Sequence, residues 1–399
     1  MVVAPRVVLL AMVGAGGAAF AGTPNEVAPA VLDDACIDTP CTRHALDGFR
    51  TALTAQREHA VDHPLRLSFF GDSVTADDHI TGVLRQKFAA LVGDGGPGFV
   101  FAIEPHKFNQ NRTLQRFIGG TWRIAGLSTT PAPDRLLGLG GSAESEGGGS
   151  IRIVAASPVT SVDVHYLSQP HGGSLSVLAD GKVVTTIATL SDDKRSEFSR
   201  VTLPASTANV ELRATGRVRL FGASLEAAKG AVVDNLGIVS ATTKQMSTRN
   251  LADHLRNQLA HRASDLVVVM LGTNEAGWLA AKSTGMAEHE RMFGEFLANI
   301  RAAHPEGSCL VISPLEQTDW RTEGLPARTS IPAMVAAQHR AALAHGCAFW
   351  DAYVWMGGEG ASKQWLKRGW LRNDYAHPTP TGMTRIANAL FGALVPAKP

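Results

Sequence analysis

The hydrophobic period of this chain changes twice, and that change constrains the fold more than any single motif. Before about residue 108 and after about residue 230, short apolar runs alternate with helical patterns, as in a parallel sheet covered by helices. The runs are Leu65 to Phe70, Val232 to Ile238, Leu266 to Leu271, Leu310 to Ile312 and Ala348 to Trp350. Helical spacing predicts one helix through Ile80, Val83, Leu84, Phe88 and Leu91, and another through Met286, Phe293, Phe296, Leu297 and Ile300. A last helix opens at Pro380 behind the capping-type Thr379 and runs through Met383, Ile386 and Leu390. These stripes are core packing.

From about residue 108 to 230 the period falls to two. Ile151 and Ile153, Val162 and Val164, Leu175 and Val177, Val210 and Leu212, and Val218 and Leu220 alternate with polar residues, and turn signals such as Gly172-Gly173 and Asp180-Gly181 separate the runs. That is the pattern of antiparallel strands in a sandwich or jelly roll. Because the α/β pattern resumes afterwards, the expected organisation is a first α/β part over 22–108, an all-β insertion over 109–229 and a second α/β part over 230–399. Gly93 to Gly98 reads as a connection, since no P-loop or dinucleotide spacing fits, and Gly138 to Gly149 reads as a flexible loop.

Residues 1–21 have the three parts of a secretory signal: Arg6, an apolar stretch from Val7 to Phe20, and Ala19-Phe20-Ala21 as a small-x-small cleavage site. The expected location is secreted or periplasmic, with no stable membrane span after cleavage. A formal net charge of +1 offers no basic field for nucleic acid. The four cysteines fit an exported chain and lack zinc-ligand spacing, so neither metal nor cofactor is expected. Cys36 and Cys41 could close a small loop, and Cys309 and Cys347 open two consecutive apolar runs that would be neighbouring strands. Either pair could equally be reduced, because sequence does not supply Cα separations.

Two short segments carry chemistry. Gly71-Asp72-Ser73-Val74 follows the first buried run directly, placing Ser73 at the carboxyl end of a strand, where open α/β sheets bind ligands. Asp374-Tyr375-Ala376-His377 sets an acid and a base three residues apart just before the last helix. A serine hydroxyl needs a base to take its proton, and that base needs a partner to fix its tautomer. Ser73, His377 and Asp374 fill those roles. Asp72 is adjacent to Ser73 and reads as a turn-former. His79, His106, His165 and His171 lack paired spacing and read as surface or packing residues. Trp122, Trp320, Trp365 and Trp370 offer either sugar-stacking platforms or simple packing.

In order and position, these blocks resemble the SGNH (GDSL-like) hydrolase superfamily: Gly71-Asp72-Ser73, Asn235-Leu236-Gly237, Gly272-Thr273-Asn274 and Asp374 to His377. The fourth position of the third block, often Asp, is Glu275 here, and the GxSxG elbow of α/β-hydrolases is absent. The resemblance implies a three-layer fold with a five-stranded parallel sheet. It also implies an oxyanion hole built from the Ser73 and Gly237 amides and the Asn274 side chain. The insertion between Ser73 and Gly237, with Gly357-Gly358 and Trp365 before the last block, is most similar to peptidoglycan O-acetylesterases that carry a carbohydrate-binding-like β-sandwich. The implied activity is removal of O-acetyl groups from a polysaccharide, with acetylated glycan as the partner and no protein partner inferred. Two alternatives stand beside it: an O-acetyltransferase using the same triad, and a non-catalytic polysaccharide-binding protein.

Overall fold

The computed structural model describes residues 29–319 and 321–395. Residues 1–21, expected to be a secretory signal, and Trp320 lie outside the described residues. Two sheets organise the chain. The first has six strands, in the order Leu32–Asp33, Ala348–Trp350, Ser308–Ile312, Leu266–Met270, Leu65–Gly71 and Ala231–Gly237. Five of them are parallel, as the apolar runs predict. The two-residue Leu32–Asp33 strand adds an antiparallel edge against Phe349 and Trp350, too short to leave a sequence signal. Taken in chain order, the parallel strands run 2-1-3-4-5. The order therefore reverses between Leu65–Gly71 and Leu266–Met270, and a crevice opens beyond their carboxyl ends.

Alternate strand residues feed two cores. On one face Leu65, Leu67 and Phe69 pack with Phe49, Phe88, Ile386 and Leu390, from the helices Asp47–Arg57, His79–Val92 and Pro380–Leu394. On the other face Phe70, Leu236, Val267 and Val269 pack with Phe293, Phe296 and Met334 from the helices Met286–Ala303 and Ser330–Ala344. The Cys309 and Cys347 sulfurs are bonded, joining strand Ser308–Ile312 to the residue before Ala348–Trp350, and Cys36 is bonded to Cys41.

The second sheet is antiparallel and has nine strands between Gly98 and Glu226. It differs from the sequence reading in three ways. It starts at Gly98–Phe101, which pairs with Val218–Glu226; these four residues are all buried, so they show no period of two. Gly141–Ser145 is a buried strand rather than a flexible loop, because small side chains let it lie under its neighbours. The strands also form one hydrogen-bonded sheet rather than two separate ones. Ser150–Ser168 and Arg195–Thr215 pair along most of their length through bulges at Thr202/Thr207 and Thr207/Asn209, and bulges bend strands. Ile151, Val162, Val177, Val210 and Val218 share a third core inside it.

This sheet is bound to the first. Phe99, Phe101, Leu127, Leu137 and Leu139 belong to the core that covers Phe70 and Leu236. Beneath that contact Arg262 is buried between Asp234 (2.7 Å) and Glu226 (2.5 Å), while Arg66 closes on Glu226 at 2.8 Å. Among the described residues no helix is long and apolar enough to cross a membrane.

Candidate active site

Strand Leu65–Gly71 ends where the side chain of Thr75 returns over it. A Cβ on Gly71 would meet Thr75 Oγ1 at 2.2 Å, so glycine is needed for the chain to turn at once into the helix Ser73–Ala76. Asp72 caps that helix, accepting from the Val74 amide at 2.9 Å. Its second oxygen accepts from the Thr273 amide at 3.2 Å. One buried carboxylate thus fastens the turn at Ser73 to the turn at Asn274 across the reversal point, and burial pushes its pKa up. Asp72 is the turn-former that adjacency to Ser73 suggests.

The last block is equally local. Asp374 Oδ1 accepts from the amides of Ala376 (3.0 Å) and His377 (2.9 Å), with Tyr375 in the left-handed region at φ 58°. The carboxylate therefore holds its own loop, and Oδ2 lies 2.9 Å from His377 Nδ1. Since a carboxylate only accepts, Nδ1 carries the proton, and Nε2 is left as an acceptor for the Ser73 hydroxyl, 2.7 Å away. The hydrogen bond from Asp374 raises the His377 pKa above its ordinary value, against the opposing effect of burial. Burial likewise opposes ionisation of Asp374, but the His377 ring and the two amides outweigh it and hold the carboxyl below its usual range.

Asn274 lies in the first turn of the helix Thr273–Ala280. Its Nδ2 donates one hydrogen to Ala241 O at 2.8 Å and keeps the other for the cavity that Asn274 lines together with Ser73 and His377. Glu275 takes the place of the usual Asp by accepting from the Thr243 amide (2.6 Å) and hydroxyl (2.7 Å). That bond secures the 241–243 segment on which Asn274 rests, and burial pushes Glu275 up to about 7.

The expectation for Gly237 is corrected. Its amide is committed to Asn235 Oδ1 at 3.1 Å and its carbonyl to Asn109 Nδ2, so it faces its own strand end rather than the cavity. A Cβ at 237 would meet Ala76 N at 2.7 Å. Glycine is required there for close approach of the helix that carries Ser73. The residue from this segment that lines the cavity is Ser240, in the left-handed region at φ 63°. Its amide has no hydrogen-bond partner among the described residues, and no motif marks it in the sequence.

The cavity at Ser73 measures 590 Å³ and is bordered by Arg112 and Arg372. A second cavity of 640 Å³ shares Asn274 and His377 with it and continues past Trp278 and Arg328, so Ser73 and His377 sit along a groove. Trp365 is buried, donating to Met356 O at 3.0 Å, and Trp370 stacks under Arg385. The indole exposed beside the triad is Trp278, 43% accessible. Asp163, His165 and His261 offer ligand-type atoms within 4.8 Å of one another, far from these motifs in sequence. Asp163 is paired with His261 and His165 with Gln258.

The GDSL-like Lipase/Acylhydrolase family model matches residues 206–385. That span holds Asn274, Asp374 and His377 but not Ser73, because the antiparallel strands separate the first block from the others. Among solved structures, a peptidoglycan O-acetylesterase is similar at 24% identity, covering 88% of this chain and 97% of that one, with a TM-score of 0.74. The likeness is one of fold. The acetylxylan esterase Axe2 of Geobacillus stearothermophilus (15% identity, 42% and 73% coverage, TM-score 0.32) is similar over a smaller part, as is LAE5 from the metagenome of Lake Arreo (21%, 41% and 72%, 0.31). No curated protein matches. With the four blocks gathered at the reversal point of a 2-1-3-4-5 sheet, the chain matches the GDSL-like Lipase/Acylhydrolase family over residues 206–385 and has the fold of a carboxylic ester hydrolase of SGNH type.

Proposed function

We propose that the protein is an exported esterase that removes O-acetyl groups from a polysaccharide, peptidoglycan first, through an acyl-enzyme on Ser73. The observation that carries this reading is the continuous relay from Ser73 Oγ to His377 Nε2 (2.7 Å) and from His377 Nδ1 to Asp374 (2.9 Å). As Ser73 Oγ attacks the acetyl carbonyl, His377 takes its proton, then returns it to the departing sugar oxygen. Water attacks the acetyl-serine with the same base, releasing acetate. Asp374 holds the tautomer and stabilises the imidazolium. The Ser73 amide, the Ser240 amide and the Asn274 side chain meet the tetrahedral oxyanion, and each such donor contributes a factor of about 10² to 10³. The antiparallel sheet from Gly98 to Glu226 is the inserted unit, and it supports a long glycan beside the groove.

The test is acetate release from O-acetylated peptidoglycan by wild type and by Ser73→Ala. Release by the wild type with a loss of about 10⁶ in turnover for the variant supports the reading. Wild-type-like release by Ser73→Ala rejects the mechanism. Acetyl passing only to a sugar acceptor, with none released to water, makes the protein a transferase.

A further inference from the structure

The groove continues past His377 into the 640 Å³ cavity, whose wall carries the guanidinium of Arg328. Arg328 follows a bridge between Thr318 and Ala327, and its backbone is pinned by its amide donating to Gln317 O at 2.9 Å. Its side chain then crosses to the helix Thr273–Ala280. Nη1 lies where a Cβ on Gly277 would come within 2.9 Å of it, so this helix, which also presents Asn274, has a glycine at the place where the guanidinium rests. Nε is buried without an acceptor, and Arg328 forms no ion pair among the described residues. The carboxylate that also lines this cavity is Asp319, which accepts from the Arg321 amide at 3.3 Å and the Thr322 hydroxyl at 2.7 Å within its own turn and lies close enough to feel the charge of Arg328 without a direct ion pair. Trp278, partly exposed, lines the same cavity.

A planar guanidinium offers a fork of donors that fits a carboxylate two-to-two. A partly exposed indole beside it suits the apolar face of a sugar ring. We propose that this cavity is a substrate subsite in which Arg328 receives a carboxylate of the glycan whose acetyl ester sits at Ser73. The preferred substrate is then an O-acetylated glycan that bears carboxylates. This rests on the glycan esterase reading above and specifies its substrate class. Two sources share the chemistry: the lactyl-peptide arm of a muropeptide, and the ring carboxylate of a uronic acid.

The experiment compares kcat/KM for acetate release from three acetylated substrates: a neutral xylo-oligosaccharide, a muropeptide and an oligouronate. The wild type is expected to prefer one of the acidic substrates, and that substrate identifies the source of the carboxylate. Arg328→Gln should reduce the preference by about 10- to 100-fold, the range of a charged hydrogen bond, mostly through KM, with partial recovery in Arg328→Lys. Gly277→Ala gives an independent arm. Its Cβ displaces the guanidinium without changing charge, in a helix that alanine favours, and it should reduce the same preference. A wild type that shows no preference for carboxylates overturns the subsite and leaves the esterase reading intact. A proportional loss on all three substrates in both variants overturns the subsite in the same way. Acetate released from none of the three by the wild type overturns the esterase reading, and the subsite with it.

Discussion

On the proposed mechanism a neutral His377 takes the Ser73 proton, and the Asp374 bond that raises its pKa sets the lower edge of the working range. As pH falls through that value the imidazole is protonated and cannot take the serine proton, so kcat/KM should decline on the acid side with a midpoint above 6.5. Asp374→Asn removes the charge that favours the imidazolium. The midpoint should move toward acid while the plateau falls by up to about 10⁴, and a pH-rate profile reads both. Gly237→Ala is a different test. A Cβ 2.7 Å from Ala76 N must displace the backbone behind Ser73, so activity and thermal stability should both drop; a variant with normal melting and normal turnover contradicts the packing role. Ser73, Asp374 and His377 are legible because short-range sequence spells their turns: a glycine, a cap and a left-handed residue do the local work. Asn274 is legible as the residue opening a helix after a strand. Ser240 and Arg328 are not, since their value lies in what the fold leaves unpaired.

The longer elements rest on connections that differ in how far they show in the sequence. Cys309 and Cys347 stand at matching positions before consecutive apolar runs, and they are bonded. Their sequence separation of 38 residues corresponds to about 3–4 kcal/mol of unfolded-state constraint, so Cys309→Ala with Cys347→Ala should lower unfolding free energy in urea by that order. Arg262 gives no signal, because it ends the helix Ala252–Arg262 while its partners Glu226 and Asp234 come from two separate strands. Arg262→Met leaves buried Asp234 without its cation and takes one cation from Glu226, which keeps Arg66, and should cost about 3–5 kcal/mol. Burial opposes the ionisation of Glu226, but Arg262 and Arg66 hold its pKa down to about 2. That group's contribution is therefore complete above its ordinary 4.5 and is lost as pH falls toward 2. Acid titration of stability should show the loss in that window for wild type and a smaller one for Glu226→Gln.

For the molecule as a whole, the two changes of period locate the parallel and antiparallel regions, yet not how they join. Buried strands such as Gly98–Phe101 carry no alternation, and bulges that let one sheet bend over itself leave no composition mark. The consequence concerns excision. Leu127, Leu137 and Leu139 cover the parallel sheet at Phe70, Leu236 and Ile238, so replacing residues 110–228 with a short linker exposes an apolar face. That variant should be insoluble or lack a cooperative melt. A soluble, cooperatively folded product that still cleaves small esters would mean the antiparallel strands are separable from the core.

Passage of the acetyl group through Ser73 is read by acid quenching of the enzyme during turnover of an aryl acetate, followed by peptide mass spectrometry. The expected result is one added acetyl group on the peptide containing Gly71-Asp72-Ser73, absent after the reaction is complete and absent from Ser73→Ala. An acetyl group on another residue, or full turnover by Ser73→Ala with no covalent intermediate, would contradict it.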